Sequence, residues 1–358
     1  MRKPFPALFF SPIPMTTILQ VAKKAGVSPT TVSHVINKTR FVSEEVIERV
    51  QAAMDELGYQ PNALARSLRR GETHTLGLIL PDSANPFFAE IGRSIEVEAF
   101  QYGYSVILCN AEGDAQKEML YTDVLSKKQV DGMIFVATGE ESDSVQILLR
   151  QRLPLVLVDR QLPGVEADSV LTDNRQGGVL AANHLAGAGH RSFGCVTGPS
   201  FLTPSAERVT GFLDTLGQAG FPPSEVKQVR GDFHPKSGYE GGLELLAGAM
   251  RPTAVFCCND MMAIGLYRAA DELGLRIPED VAVVGFDDID LSSYLTPPLT
   301  SVSQPKTEIG RAAIQLLLNR IRNRELPAQR VILDTHLVVR KSSSVEESIT
   351  PLSASDRS

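Results

Sequence analysis

A stretch near the amino terminus, GVSPTTVSHVINKTR at residues 26–40, carries hydroxyl, imidazole and amide side chains but little charge until its end. Thr30, His34 and Asn37 follow the spacing i, i+4, i+7, which places them on one face of a helix. Such neutral groups match the hydrogen-bonding edges of bases in the DNA major groove, although a solvated helix face is the plain alternative. The residues that we expect to contact DNA here are Ser28, Thr30, Thr31, Ser33, His34, Asn37, Lys38 and Arg40.

A second group of polar and aromatic residues is spread over residues 85–304, near the ends of segments that read as strands. Carboxylate, guanidinium and amide groups beside aromatic rings suit a small sugar, because each hydroxyl donates and accepts hydrogen bonds and the C–H faces stack on rings. Taken singly, Asn85 or Asp260 also suits a helix cap, and Arg208 a surface ion pair. The residues of this group are Asn85, Phe88, Asp159, Arg160, Arg208, Phe233, Asn259, Asp260, Asp287 and Gln304.

Three short helices are predicted between residues 17 and 57, because apolar residues recur there at helical spacing. Gly26 ends the first helix, Ser28 is the N-cap of the second with Pro29 at its first position, and Ser43 caps the third. Two short helices joined by a Gly-containing turn, with a third closing the core, form the helix-turn-helix pattern. The buried face of the second helix is expected to comprise Val32, Val35 and Ile36.

Beyond residue 72, strand-like runs alternate with amphipathic helices, which predicts parallel sheets covered on both faces. The predicted strands are TLGLIL, YSVILCN, GMIFVA, LVLVD, SVLTD, FGCVTG, VKQVRG, AVFCCND, VAVVGFDD, TSVSQ and VILDTHLVV. The predicted helices lie near 87–101, 116–128, 175–188, 207–219, 236–247, 261–273 and 306–322.

Two blocks, at about 73–160 and 170–290, share this rhythm and predict two doubly wound lobes with a ligand cleft between them. The predicted fold is therefore a small all-α helix-turn-helix domain followed by a two-lobed α/β domain with parallel doubly wound sheets.

Charge is unevenly distributed along the chain, whose formal net charge is −7. Residues 1–71 hold ten Lys/Arg against five Asp/Glu, whereas residues 72–358 hold 25 against 37. A basic module for a polyanion joined to an acidic body fits this split.

The four cysteines lie in apolar runs without C-x-x-C spacing, which indicates buried thiols in a reducing cytosol. No run of apolar residues reaches membrane-spanning length.

Other classes of function fit less well. Asp159 and Asp287 could form the carboxylate pair of a sugar-cleaving enzyme, but no nucleophile elbow, phosphate loop or metal cluster accompanies them. A secreted sugar-binding protein is disfavoured by the helix-turn-helix.

The first fourteen residues, MRKPFPALFFSPIP, contain four prolines and no A-x-A site, so we expect a disordered extension, or Met15 as the true start, instead of a signal peptide.

The segment VAKKAGVSPTTVSHVINKTRFVSEE, together with ALARSL, resembles the lactose repressor family of transcription factors, most closely the branch of purine and ribose operon repressors. The resemblance extends to about Lys341 and implies a homodimer that binds a pseudo-palindromic operator. It assigns base reading to Thr30, His34 and Arg40. Many relatives carry Thr in place of Pro29, and commonly Asp in place of Gln20.

The same resemblance makes ALARSL a hinge that folds into a short helix on DNA. It implies that Leu68 wedges into the minor groove, where an apolar side chain between base steps unstacks them and bends the duplex. It also places Arg66, Arg69 and Arg70 near phosphates.

The body resembles ribose-binding periplasmic proteins, which implies a periplasmic-binding-protein-like fold and a bound ribose or related pentose, and the resemblance to ribose operon repressors implies that this sugar acts as an inducer. A purine is the second choice, and Arg160 departs from some ribose repressors. The implied sugar contacts are Asn85, Phe87, Phe88, Asp159, Arg160, Arg208, Phe233, Asn259, Asp287 and Gln304.

These inferences predict a cytoplasmic regulator that is no enzyme and carries no cofactor. The predicted divisions are a disordered extension (1–14), a helix-turn-helix domain (15–60), a hinge (61–72), a two-lobed body (73–342) and a disordered tail (343–358). Within the body, the first lobe is predicted at about 73–165 and 301–328, and the second at 166–300 and 329–342.

Overall fold

The computed structural model describes residues 16–59, 72–139, 142–248 and 250–344 of the 358-residue chain. The chain divides into two compact units, one ending at Thr73 and the other beginning at His74. This division falls next to the predicted start of the body at residue 73. Both predicted terminal extensions lie largely outside the described residues, as does most of the predicted hinge.

The first unit is built from three helices around a small apolar core. They are α1 (Ile18–Ala25), α2 (Pro29–Asn37) and α3 (Glu44–Glu56). Val21, Val32 and Val50 are fully buried at its centre. Val35 and Ile36 pack against this core as partly buried side chains, which confirms the predicted inner face of α2.

Local sequence signals explain where these helices begin and end. Thr17 accepts a hydrogen bond from the Gln20 amide, and the Gln20 side chain accepts one of 2.7 Å from the Thr17 amide, which makes a capping box. Gln20, a departure from the family pattern, is thus a capping residue. Gly26 ends α1 at φ +65° in the left-handed region. Ser43 stands at the N-cap of α3 but makes no capping side-chain bond, so that prediction was wrong in detail.

The second unit contains two six-stranded sheets. The first has strand order β11-β5-β4-β3-β1-β2, and the second β12-β10-β9-β8-β6-β7. Every pairing is parallel except that of β10 with β12. The strands are β1 (Thr75–Leu80), β2 (Ser105–Asn110), β3 (Gly132–Phe135), β4 (Leu155–Val158), β5 (Asp168–Thr172), β6 (Phe193–Thr197), β7 (Lys227–Arg230), β8 (Ala254–Cys257), β9 (Ala282–Asp287), β10 (Thr300–Ser303), β11 (Arg330–Leu333) and β12 (His336–Val338).

Helices cover both faces of each sheet, as alternating β and α segments require. They are α4 (Pro86–Gln101), α5 (Ala115–Lys127), α6 (Asp143–Arg150), α7 (Asn174–Gly187), α8 (Thr203–Gln218), α9 (Pro235–Leu246), α10 (Asp260–Glu272) and α11 (Lys306–Arg322). Helix α6 was missed from the sequence, although Ser142 caps its first turn by accepting from the Val145 amide. Helix α8 begins four residues earlier than predicted.

Glycines allow α7 and α8 to pack closely. A Cβ atom on Gly178 would lie 2.1 Å from the Arg208 carbonyl oxygen, and one on Gly211 would lie 2.0 Å from that of Arg175. No larger residue fits at either contact. The close pairing holds the first turns of α8, and with them Arg208, against the second sheet.

The predicted lobe boundaries need correction. Strand β5, assigned to the second lobe, pairs with β4 in the first sheet, and β11 pairs with β5 there. Strand β10, assigned to the first lobe, pairs with β9 in the second sheet. The predicted single strand VILDTHLVV is divided at residues 334–335, with β11 in one sheet and β12 in the other. Both strands are short apolar runs, so their composition alone does not show which sheet they join.

The body also extends past its predicted end at residue 342. Ser343 is buried, and its hydroxyl donates to Thr300 Oγ1 at 2.7 Å. The four cysteines are free and buried, as their apolar surroundings predicted. Among the described residues, no helix combines the length and the apolar character needed to cross a membrane.

Candidate ligand site and nucleic-acid interface

The carboxyl ends of strands from both sheets meet at one pocket of the second unit. About 300 Å³ of space lies between its lining atoms, part of it open to solvent. Nine of the ten predicted sugar-binding residues line it, together with Pro204: Asn85, Phe87, Phe88, Asp159, Arg160, Arg208, Phe233, Asn259 and Asp287. We call this the effector pocket.

Arg208 is the most connected side chain of the effector pocket. Its Nε donates to Asn174 Oδ1 at 2.8 Å, and its Nη1 donates to the Cys258 carbonyl at 2.7 Å. Nη1 also lies 3.4 Å from Asp287 Oδ1. The guanidinium carbon lies 3.7 Å from the centroid of the Phe286 ring, a cation–π contact. Its orientation is therefore fixed before any ligand binds.

Gln304, the tenth predicted residue, does not line the effector pocket but orients Asp287. Its Nε2 donates to Asp287 Oδ1 at 2.8 Å, while its Oε1 accepts from the Thr172 hydroxyl at 2.6 Å. Lys306 Nζ donates to the Asp287 carbonyl at 2.9 Å. The carboxylate of Asp287 is thus held by Gln304 and Arg208, and its main-chain carbonyl by Lys306.

Asp159 and Arg160 follow β4 on the opposite wall. Arg160 Nε lies 3.6 Å from Asp159 Oδ2, and its Nη1 donates to the Ala137 carbonyl. The guanidinium carbon of Arg160 lies 5.8 Å from the centroid of the Phe88 ring. Asp159 Oδ1 is buried and has no hydrogen-bond partner among the described residues. An unsatisfied buried acceptor is costly, and a ligand that donates to it would remove this cost.

Three amide and aromatic positions have structural roles as well. Asn85 caps α4 by accepting from the Phe87 amide at 3.1 Å. Asn259 caps α10, accepts from the Met262 amide, and donates through Nδ2 to the Phe233 carbonyl at 3.0 Å. Capping thus accounts for the Oδ1 atoms of both asparagines, and ligand contacts would come from their remaining groups.

Backbone strain is concentrated at this site. Asp159, Phe233 and Asp287 have φ values of +67°, +71° and +103°. Such conformations cost about 1–3 kcal/mol each outside glycine and persist where the surrounding structure imposes them, often at ligand sites. Their coincidence in one pocket is independent support for a binding function.

Burial and neighbouring charges shift the pKa values of the acidic and basic side chains in the effector pocket. Burial raises the pKa of Asp287 to about 7, against the opposing effect of Arg208. Burial also raises the pKa of Asp159 and lowers that of Arg160, whose charges partly offset each other. Hydroxyl groups of a ligand that donate to these carboxylates would lower their pKa values again, because such hydrogen bonds favour the charged form.

Asp260 belongs to the scaffold, not to the pocket lining. It is fully buried and accepts from the hydroxyls of Ser292 and Ser301, at 2.6 Å each, and from the Ile289 amide. Burial raises the pKa of Asp260 to about 6. Asn174, Thr172 and Phe286 were missed from the sequence, because their roles depend on contacts with residues more than thirty positions away.

In the first unit, α2 presents its polar residues with several already paired. Ser28 accepts from the Thr31 amide at 3.0 Å and so caps α2, and the two hydroxyls lie 2.9 Å apart. Asn37 Nδ2 donates to the Ser33 carbonyl at 2.8 Å. His34 Nδ1 shares a hydrogen bond of 2.8 Å with Thr39 Oγ1, which orients the ring and leaves Nε2 for another partner.

The remaining predicted DNA contacts of this unit are exposed. Thr30, Lys38 and Arg40 are accessible on or just after α2. Lys38 ends the helix at φ +51°, in the left-handed region. Lys24, a basic residue of α1, is paired with Glu56 of α3. Leu68, Arg66, Arg69 and Arg70 lie outside the described residues.

Comparisons with known proteins agree with both halves of this description. A family described as "Bacterial regulatory proteins, lacI family" matches residues 17–62, and a periplasmic binding protein-like domain matches residues 182–343. The ribose operon repressor of Escherichia coli (strain K12) is 42% identical over 92% of this chain and 100% of its own length. The transcriptional repressor PurR of Photobacterium profundum is 40% identical over 92% of this chain and 98% of its own.

Two solved structures are similar in fold. The lac repressor dimer bound to operator and the anti-inducer ONPF has a TM-score of 0.82 at 28% identity, covering 92% of this chain and all of that one. A lacI-family regulator from Enterococcus faecium with bound ribose has a TM-score of 0.70 at 34% identity, covering 75% of this chain and 98% of that one.

Proposed function

The chain belongs to the lacI family of bacterial regulatory proteins, a family of DNA-binding repressors, and on that premise we propose that ribose or a related pentose is its inducer. The repressor acts in the cytoplasm as a homodimer on a pseudo-palindromic operator. The observation that carries the choice of effector is the convergence of two carboxylates, two guanidinium groups and three aromatic rings on one small pocket.

The chemistry of the effector pocket favours a polyol over a purine. Asp287 and the unpartnered Oδ1 of Asp159 are acceptors for hydroxyl donors, while Arg160 and Arg208 donate to hydroxyl oxygens. Phe88 and Phe233 offer ring faces to C–H groups. The sequence identities to the ribose operon repressor (42%) and to PurR (40%) are too similar to favour a sugar over a purine, so the proposal rests on these side chains.

An apolar surface supports the proposed dimer. Strand β2 is one of the two edge strands of the first sheet, and large apolar side chains are exposed on it and near the ends and faces of its flanking helices. Exposed apolar side chains concentrated in this way mark interaction sites, and a second copy would bury them and cover the unpaired edge. The residues are Val97, Phe100, Tyr102, Leu108, Leu120 and Val124.

Induction follows from the two lobes that share the effector pocket. The chain passes between the sheets near residues 173, 304 and 334, so a ligand that contacts both walls favours one relative position of the lobes. In the dimer this movement separates the paired DNA-binding segments. The coupling between sugar and operator is reciprocal, about 1–3 kcal/mol, or about 5- to 150-fold in affinity.

Calorimetric titration with ribose tests the effector and gives a pH signature. Because burial raises the pKa of Asp287 to about 7, and because its carboxylate accepts hydrogen bonds more strongly than the neutral acid does, ribose affinity should fall by up to about tenfold between pH 8 and pH 6. Stability should move the other way: the raised pKa in the folded state favours folding at low pH, and that contribution is lost as pH rises through about 7.

Because ribose affinity should fall while stability rises between pH 8 and pH 6, unfolding at pH 6 is excluded as the cause of weaker binding. Asp287→Asn should lose most of the pH dependence, while Asp290→Asn, at an exposed position, should retain it. Absence of heat with ribose, together with binding of a purine, would replace the proposed effector.

A further inference from the structure

A polar groove lies beside the effector pocket, and the proposed function does not involve it. It contains about 530 Å³ of space, part of it open to solvent, and shares Asp159 and Pro204 with the effector pocket. We call it the side groove and define it by Gln161, Asp173, Asn174, Arg175, Glu207 and Arg330. The two shared residues show that the two cavities adjoin each other.

The walls of the side groove come from both lobes. Gln161 follows β4 and Arg330 begins β11, both in the first sheet, and Arg330 Nη2 donates to Gln161 Oε1. Asn174 begins α7 and Glu207 lies in the second turn of α8, in the other lobe. A ligand in the side groove would therefore contact the same two bodies as one in the effector pocket.

Several polar groups of the side groove are buried and set in place. Asn174 is 2% exposed; its Oδ1 accepts from Arg208 Nε, and its Nδ2 donates to the Thr172 carbonyl at 3.2 Å. Asp159 is 7% exposed and has the unpartnered Oδ1. Burial and the nearby Asp173 raise the pKa of the half-buried Glu207.

The side chains of the side groove select among ligand classes. Its described lining contains no aromatic ring on which a nucleobase could stack. Three carboxylates, of Asp159, Asp173 and Glu207, outnumber the guanidinium groups of Arg175 and Arg330, and Arg175 is paired with Asp214 at 2.6 Å. A phosphate would therefore meet net negative charge. Mixed donors and acceptors of this kind match neutral hydroxyl groups.

We propose that the side groove is a second subsite for a hydroxylated substituent on the sugar, so that the preferred effector is a riboside with a further polyol unit and not free ribose alone. This inference rests on the proposed sugar function of the effector pocket. The additional polyol unit of the ligand donates its hydroxyl hydrogens to Glu207, and its hydroxyl oxygens accept hydrogen bonds from Gln161 or Arg330.

The test is calorimetry of the full-length protein with D-ribose and with a disaccharide of two ribofuranose units. The wild-type protein should bind the disaccharide at least about tenfold more tightly than ribose, since a hydrogen bond to a charged group contributes that much. Glu207→Ala should remove this preference and leave ribose affinity within about twofold. Glu240→Ala, on the exposed face of α9 in the same lobe, should behave as wild type.

Two results would overturn the subsite while leaving the sugar function intact: a disaccharide that binds no more tightly than ribose, or an unchanged preference in Glu207→Ala. Tighter binding of ribose 5-phosphate or uridine than of the disaccharide would also overturn it, in favour of an anion or a base. Absence of binding by both ribose and the disaccharide would instead overturn the proposed effector and this inference with it.

Discussion

Replacing Arg208 with methionine should weaken effector binding by about 30-fold to about 5,000-fold, corresponding to about 2–5 kcal/mol for truncating one partner of a buried, hydrogen-bonded charge pair. Arg208 contacts Asp287, Asn174 and the Cys258 carbonyl and stacks on Phe286, so the substitution removes the donor that orders one wall. The variant should stay on its operator at inducer concentrations that release the wild-type protein. Calorimetry and operator-release assays measure both effects.

The same substitution should also lower the free energy of unfolding by about 1–3 kcal/mol, because Asn174 Oδ1 and the Cys258 carbonyl are left buried without their donor. The double variant Arg208→Met/Asp287→Asn separates folding from binding. It should recover the small part of the stability that is lost through the unpaired Asp287, but it should not recover effector binding. Arg268→Met, on an exposed face of α10, is the matched control and should change neither property. Normal effector affinity in Arg208→Met would refute the assigned geometry.

The second large effect concerns α2, the second helix of the helix-turn-helix. His34→Ala should weaken operator binding by about 2–6 kcal/mol per dimer, because a base contact contributes about 1–3 kcal/mol and each dimer has two. The ring is oriented by Thr39 and keeps Nε2 available, so this loss should fall on the operator and hardly affect random DNA. The slope of log affinity against log salt should stay unchanged, since a contact to a base edge, unlike one to a phosphate, releases no counterion.

Lys38→Asn supplies the contrasting control. Asparagine tolerates the left-handed conformation at this helix end, so the change removes a charge with little strain. Operator and random DNA should both bind less tightly, and the salt slope should fall by about one per subunit. If His34→Ala reduced affinity for all DNA alike, with a smaller salt slope, His34 would be a phosphate contact and not a base contact.

Much of the site could be predicted because single residues carried their own signals. Asp159 directly follows β4 and Asp287 is the last residue of β9, and the carboxyl ends of parallel strands meet at a cleft. The face of α2 follows from helical spacing alone. Asn85 shows a limit of such arguments: its two interpretations, helix cap and pocket residue, are both realised in one side chain.

What could not be predicted depends on contacts between distant segments. The sheet to which β5 and β11 belong is decided by pairing across more than 150 residues, and their apolar runs carry no information about it. Asn174 and Thr172 look like ordinary residues at a helix start and a strand end, yet they hold Arg208 and Gln304. Long-range hydrogen bonds of this kind leave no periodic pattern in the sequence.

Ribose-dependent release of operator DNA tests the central claim most directly. An operator selected by the protein from a pool of random duplexes would be labelled, bound to the full-length protein, and followed by fluorescence anisotropy as ribose is added. Ribose should lower operator affinity about 5- to 150-fold for the wild-type protein and leave Arg208→Met on the operator. Unchanged operator affinity at saturating ribose, or tighter binding with ribose present, would contradict the account.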